Sequence, residues 1–246
     1  MNTHILSGGT VPTVVFVHGA WEDASCWLEV TARLHLDGVR VVAAQCSLVS
    51  LQDDVDAVCR IVSNEDGPVI LVGHGWGGTV ITVAGEAERV IGLVYIAASA
   101  PEVGQSTAES LSGVWPFAYW PLLKRDSGGF LWFPQALMPR WFAPDLPPAS
   151  AALLAVVQRP IHVDAYDAKV PAASWHQKPT WYLVTEQDRL MPASEQHATS
   201  LRIGAQTECV SGGHVPFLSH VTETTAFIRR VMVDCMRSGS WSKIQR

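Results

Sequence analysis

Short apolar runs rich in β-branched residues alternate with helix-period segments at both ends of this chain, and that alternation leaves few folds open. Thr13–Val17 (TVVFV) carries no charge, as a strand buried on both faces requires. Val39–Ala44, Val69–Val72, Ile91–Ala97, Thr180–Thr185 and Gln206–Val210 repeat the strand signal. Between and after them the period changes to that of helices, over Ser25–Leu36, Leu51–Asn64, Trp76–Glu88, Pro192–Ile203 and Phe217–Met236. Gly38 stands where a helix C-cap should, and Pro192 where a helix should begin. Strands that alternate with helices imply α/β architecture: a mostly parallel sheet of about six strands with helices on both faces.

The rhythm stops between residues 101 and 179, which hold 11 of the 15 prolines. Residues 115–142 hold nine aromatics, among them Trp115, Phe117, Trp120, Trp132 and Phe133. Only a short helix near Ala149–Gln158 shows a period, too little to give the stretch its own core. The expected organisation is a core from 1–100 and 180–240, an inserted cap over 101–179, and a flexible tail over 238–246. Hydrophobic residues at 48% exclude disorder for the chain as a whole. A net charge of −6 offers no basic excess for phosphates, which argues against a nucleic-acid partner. No apolar run reaches the length of a membrane helix, and Met1–Thr10 lacks the basic start and apolar stretch of a secretion signal. Five cysteines without a CxxC pair argue against a disulfide framework or zinc site and lead us to expect a cytoplasmic protein.

The corner Gly73-His74-Gly75-Trp76-Gly77-Gly78 follows a strand and opens a helix. It contains the G-x-G-x-x-G of a dinucleotide site. That site needs an acid at the end of the next strand, where Ile96-Ala97-Ala98-Ser99 has none. The better match is G-x-S-x-G, the strained turn that lifts a nucleophile above a sheet, with Gly75 in place of the serine. His18-Gly19-Ala20 follows the first strand, where an oxyanion-binding N–H is expected from Ala20, with a second from Trp76. Asp188 follows the strand Thr180–Thr185 and His214 follows the last strand, so elbow, acid and histidine come in the required order.

With FVHGAW (16–21), VGHGWGG (72–78), WYLVTEQDR (181–189) and GGHVPF (212–217), the sequence resembles the α/β-hydrolase superfamily. It is most similar to the small branch of plant methyl-ester esterases, hydroxynitrile lyases and their bacterial relatives. The resemblance implies a nucleophile at position 75, a base at His214 and an orienting acid at Asp188. In that family the elbow serine attacks a carbonyl or, in the lyases, shuttles a proton with the histidine. That serine is the one motif residue missing here.

Most histidines in such a chain are structural, and His18 and His74 are expected to be so. His214 stands apart because of its glycine-flanked loop. Glu186 competes with Asp188 for the role of acid, and Cys26 is expected to be buried rather than reactive. Trp21, Trp115, Phe117, Trp120, Trp132 and Phe133 are expected to line a pocket for a small apolar carbonyl compound, with no cofactor and no metal. Glycine at the elbow leaves three possibilities. The serine of an esterase has been replaced, so that a ligand is trapped intact. Alternatively, a lyase or cyclase works with His214 and Asp188 alone, or the pocket binds without chemistry.

Overall fold

The computed structural model describes residues 11–111 and 118–237. The expected pocket residues Trp115 and Phe117 and the expected tail lie outside them. The first part of the chain forms β1 (Thr13–Val17), α1 (Leu28–Leu36), β2 (Val41–Ala44), α2 (Leu51–Ser63), β3 (Val69–His74), α3 (Trp76–Ala84) and β4 (Val90–Ile96). An insert follows with α4 (Thr107–Ser110), β5 (Lys124–Arg125), β6 (Phe130–Trp132), α5 (Met138–Trp141), α6 (Pro148–Val157), β7 (Ile161–His162) and α7 (Val163–Asp167). The chain then forms β8 (Thr180–Thr185), α8 (Ala193–Arg202), β9 (Gln206–Val210), α9 (Pro216–Ser219) and α10 (Val221–Arg237).

Six strands make one parallel sheet in the order β2-β1-β3-β4-β8-β9. Strands β1, β3, β4 and β8 are buried along their whole length, which is why their sequences carry no charge. From β1 the chain steps to β2 on one side, then crosses back to β3 on the other. Right-handed crossovers therefore put α1 on one face and α2 and α3 on the opposite face. Helix α1 packs on α10, and α2 packs on α3. The reversal between β1 and β3 opens a crevice at their C-terminal ends, the place where open α/β sheets bind ligands. The register pairs Val17 with Gly73 and His74 with Ile96, so the loops after β1, β3 and β4 leave the sheet side by side.

The insert holds more regular structure than its sequence suggests. Its three strands form a small antiparallel sheet, β5-β6-β7, with two or three residues in each strand. Runs that short show no period. The expected long helix after His214 is also two helices. His220 leaves helical angles (φ −125°, ψ 50°), and its ring lies 3.4 Å from Asp145 of the insert. Among the described residues no helix is long and apolar enough to cross a membrane.

Candidate active site

Strand β3 ends at His74 and α3 starts at Trp76, so residue 75 alone makes the turn. Gly75 has φ 51° and ψ −114°, a left-handed φ that a residue with a side chain adopts only under strain. A β-carbon at position 75 would lie 3.6 Å from His214 Nε2 and 3.7 Å from Gly19 Cα, ordinary contact distances. A β-carbon at Gly77 would lie 2.4 Å from the Val17 carbonyl oxygen. Glycine there lets α3 begin hard against β1.

His214 Nδ1 donates to Asp188 Oδ2 at 2.7 Å. That oxygen also accepts from Thr185 Oγ1 and Gln196 Nε2, each at 3.0 Å. The other, Oδ1, accepts from the Leu190 and Met191 amides at 2.8 and 2.9 Å. With both oxygens accepting, the carboxylate fixes the ring orientation and puts the proton on Nδ1. His214 Nε2 bonds to no described residue and faces position 75. Burial pushes the imidazole down, but Asp188, helped by Glu22, holds its pKa above the ordinary 6.5. Phe142 of the insert sets its ring edge-on against His214, with centroids 5.3 Å apart. Glu186 is exposed and takes no part.

The N–H groups of Ala20 and Trp76 form no hydrogen bond with any described residue. Both residues line the cavity beside Gly75 and His214. Trp21, at φ 63°, bends the loop after Ala20, and its Nε1 donates to the Leu131 carbonyl at 2.9 Å. Below this loop lies Glu22, which sequence reasoning missed. Its Oε2 accepts from the Gly19 amide at 2.9 Å and from His74 Nδ1 at 2.8 Å. His74 Nε2 in turn donates to the main-chain carbonyl of His214 at 2.9 Å. Burial raises the Glu22 carboxyl, yet His74 and the Gly19 amide bring its pKa below the ordinary value. Glu22 and His74 thus fasten the loop after β1 to the main chain at His214. His74 is fully buried, with both ring nitrogens engaged. His18 is neutral: burial lowers its pKa, Nδ1 donates to the Gly19 carbonyl at 2.9 Å, and Nε2 accepts from the Cys46 amide at 3.1 Å. Burial also lifts the Cys26 thiol well above its normal range, so it is no nucleophile.

The cavity over Gly75 measures about 40 Å³. Of the expected residues, Ala20, Trp21, Gly75, Trp76 and His214 line it. Trp120 and Phe133 sit one layer out. Trp120 packs on Tyr166 at 5.4 Å, and Phe133 packs on Trp21 at 5.4 Å and on Tyr119 at 5.7 Å. Trp132 does not reach the cavity. It is 39% exposed, and its Nε1 donates to Asp126 at 3.0 Å. Side chains alternate along β6, and since Leu131 points inward Trp132 must point out. The aromatic lining comes instead from Tyr119 and Tyr166, with Leu190 and Met191 from the acid loop. Trp76 is anchored from behind, its Nε1 donating to buried Asp54 at 2.9 Å. A larger groove of 580 Å³ beside Asp53, Asp56, Arg60 and Arg159 is open surface away from His214. Among the described residues no cluster of three or more His, Cys, Asp or Glu side chains is placed to hold a metal ion.

Residues 14–227 match the model of the Alpha/beta hydrolase family. The carbendazim hydrolyzing esterase of Nocardioides sp. (strain SG-4G) is 37% identical over 106 residues, covering 37% of this chain and 44% of that protein. The chain thus spans less than half the length of that relative. The pFDCC methylesterase MES16 of Arabidopsis thaliana is 27% identical over 216 residues, covering 77% of this chain and 82% of that protein. The crystal structure of a pyrethroid hydrolase from Sphingobium faniae JZ-2 matches with a TM-score of 0.77 at 20% identity, covering 91% of this chain and 98% of that one.

Proposed function

Because the chain belongs to the α/β-hydrolase family, we propose that this site is of the esterase type. His214 is its base, Asp188 orients the base, and the Ala20 and Trp76 amides form the oxyanion hole. Gly75 occupies the nucleophile seat, and the insert is the cap. The substrate is a small apolar compound with an ester or other activated carbonyl, matched to a lining of Trp21, Trp76, Tyr119, Tyr166, Leu190 and Met191. In such a site a hydroxyl at position 75 gives its proton to His214 Nε2 while its oxygen attacks the carbonyl carbon. The carbonyl oxygen takes up the negative charge and is met by the two amides. The imidazolium then returns the proton to the departing alkoxide, and water repeats the sequence on the acyl-enzyme. Gly75 supplies no hydroxyl, so this covalent route is closed to the chain as it stands. Its ester hydrolysis is low or absent.

The observation that carries this proposal is the 3.6 Å from a β-carbon at position 75 to His214 Nε2. Gly75→Ser should therefore give hydrolysis of a p-nitrophenyl acyl ester, where the parent chain gives little. It should also cost roughly 1–2 kcal/mol of stability, because a side chain is forced to a positive φ. Initial rates and melting temperatures of the two proteins test both effects. A folded Gly75→Ser protein with no hydrolysis above background refutes the assignment of position 75. The intact His214–Asp188 pair favours a second possibility for the unmodified chain. His214 takes a proton from a substrate carbon or a water, and the same amides hold the developing oxyanion, as in a lyase or cyclase.

A further inference from the structure

One part of the cavity wall is not apolar. Thr79 lies on α3 one turn beyond Gly75, Ser99 lies three residues past the end of β4, and Thr107 opens α4 in the insert. Thr79 Oγ1 is 2.8 Å from Ser99 Oγ and 2.7 Å from Thr107 Oγ1. All three residues are at most 2% exposed, and Ser99 and Thr107 line the cavity. We propose that Ser99, Thr79 and Thr107 form a polar subsite that reads a hydroxyl or keto oxygen on an otherwise apolar ester. This assignment of a substrate class rests on the esterase-type pocket proposed above.

The proton inventory gives the reason. Three hydroxyls own three protons, and the two links between them use two. If the chain runs from Thr107 through Thr79 to Ser99, the third proton points from Ser99 toward the Gly75 carbonyl. That contact is 3.4 Å long, well beyond a good O–H···O distance. If the chain runs the other way, the third proton sits on Thr107 and has no acceptor among the described residues. In either direction one end keeps a proton to donate and the other keeps lone pairs to accept, so the ends can offer a ligand a donor or an acceptor. Thr79 is bonded on both sides and serves as the link.

Packing alone does not call for this arrangement. Alanine at position 99 and valine at 79 and 107 would fill nearly the same space without burying oxygens, and buried oxygens are costly unless paired. Ser99 cannot retreat from the site, because its amide donates to the Gly75 carbonyl at 3.3 Å. The oxygen recognised therefore sits close to the carbonyl that faces His214.

The test is tryptophan fluorescence, reported by Trp21 and Trp76 in the cavity wall, during titration with methyl butyrate and with methyl 3-hydroxybutyrate. In the parent chain the hydroxy ester should bind at least as tightly as the plain ester. In the Ser99→Ala, Thr107→Val double variant the ratio of the two dissociation constants should move about tenfold toward the plain ester, the worth of one buried hydrogen bond. Leu201→Ala, on the exposed side of α8 and away from the cavity, should leave the ratio unchanged, and the melting temperature of the double variant guards against loss of its fold. An unmoved ratio in a folded double variant overturns the subsite. So does a parent chain that binds methyl butyrate strongly and the hydroxy ester much more weakly, although the pocket itself then stands. Failure of both esters to bind overturns the pocket, and the subsite with it.

Discussion

Two histidine–carboxylate pairs lie back to back in this molecule, and they do opposite things. His214 meets Asp188 at 2.7 Å and His74 meets Glu22 at 2.8 Å; the two rings are 4.5 Å apart. The difference lies in the second nitrogen. His214 Nε2 is left facing the cavity, whereas His74 Nε2 is taken by the main-chain carbonyl of His214. Neither nitrogen of His74 is left free: Nδ1 is held by the Glu22 carboxylate and Nε2 by that carbonyl. The His74–Glu22 pair is a buried clasp. A carboxylate beside a histidine thus does not by itself mark a proton carrier; the free nitrogen does.

The comparison breaks most sharply in turnover. In a Gly75→Ser protein, His214→Ala should cut the hydrolysis rate about 10²–10⁴-fold while the melting temperature barely moves. If His74→Ala did the same with stability intact, the division of labour would be wrong. The clasp should show itself in stability instead. Glu22→Ala leaves the buried Gly19 amide and His74 Nδ1 without their acceptor and should cost about 3–5 kcal/mol in chemical denaturation, whereas Glu22→Gln, which keeps the shape and an acceptor and loses only the charge, should cost less than about 1.5 kcal/mol. A Glu22→Gln cost as large as that of Glu22→Ala would show that the charge, not the hydrogen bonds, holds the clasp. Acidity separates the pairs further. His214 has a raised pKa and works as a base only when neutral, so the rate in Gly75→Ser should climb through a midpoint above 6.5. Asp188→Asn removes the charge that raises it and should move that midpoint down; a pH–rate profile for each protein reads the shift. Glu22 has a lowered pKa, so its stabilisation is present above the ordinary 4.5 and is lost as pH falls through the folded value. Acid titration of Glu22→Gln should therefore show a shallower loss of stability. The smallest effect belongs outside both pairs: Trp132→Ala should leave stability within about 0.5 kcal/mol and ester binding unchanged.

What was legible in the sequence follows from range. Thr13–Val17 and Thr180–Thr185 announce buried strands because both of their faces must be apolar. Gly75, Asp188 and His214 stand out because a local motif or a strand end marks each of them. Glu22 carries no such mark. Its meaning depends on His74, 52 residues away, and only the register of β1 on β3 brings them together. The insert fails for the same reason. Trp132 and Phe133 are neighbours in sequence and face opposite ways, and which one faces in is decided by β6 pairing with β5 and β7. Tyr119 and Tyr166 reach the cavity from parts of the insert that no period connects.

The cavity over Gly75 has a consequence in time rather than in space. About 40 Å³ is room for a water molecule or two, while pockets that hold ligands run to several hundred. For an ester of the proposed kind to enter, Tyr119, Tyr166 or a neighbouring wall would have to give way, so opening is expected to precede binding. The observed association rate then levels off at high ligand concentration, at the opening rate of the wall. The apparent dissociation constant is the intrinsic one divided by the fraction of molecules that stand open. Affinity and residence time would then be tuned by how easily the wall moves as well as by the contacts it makes.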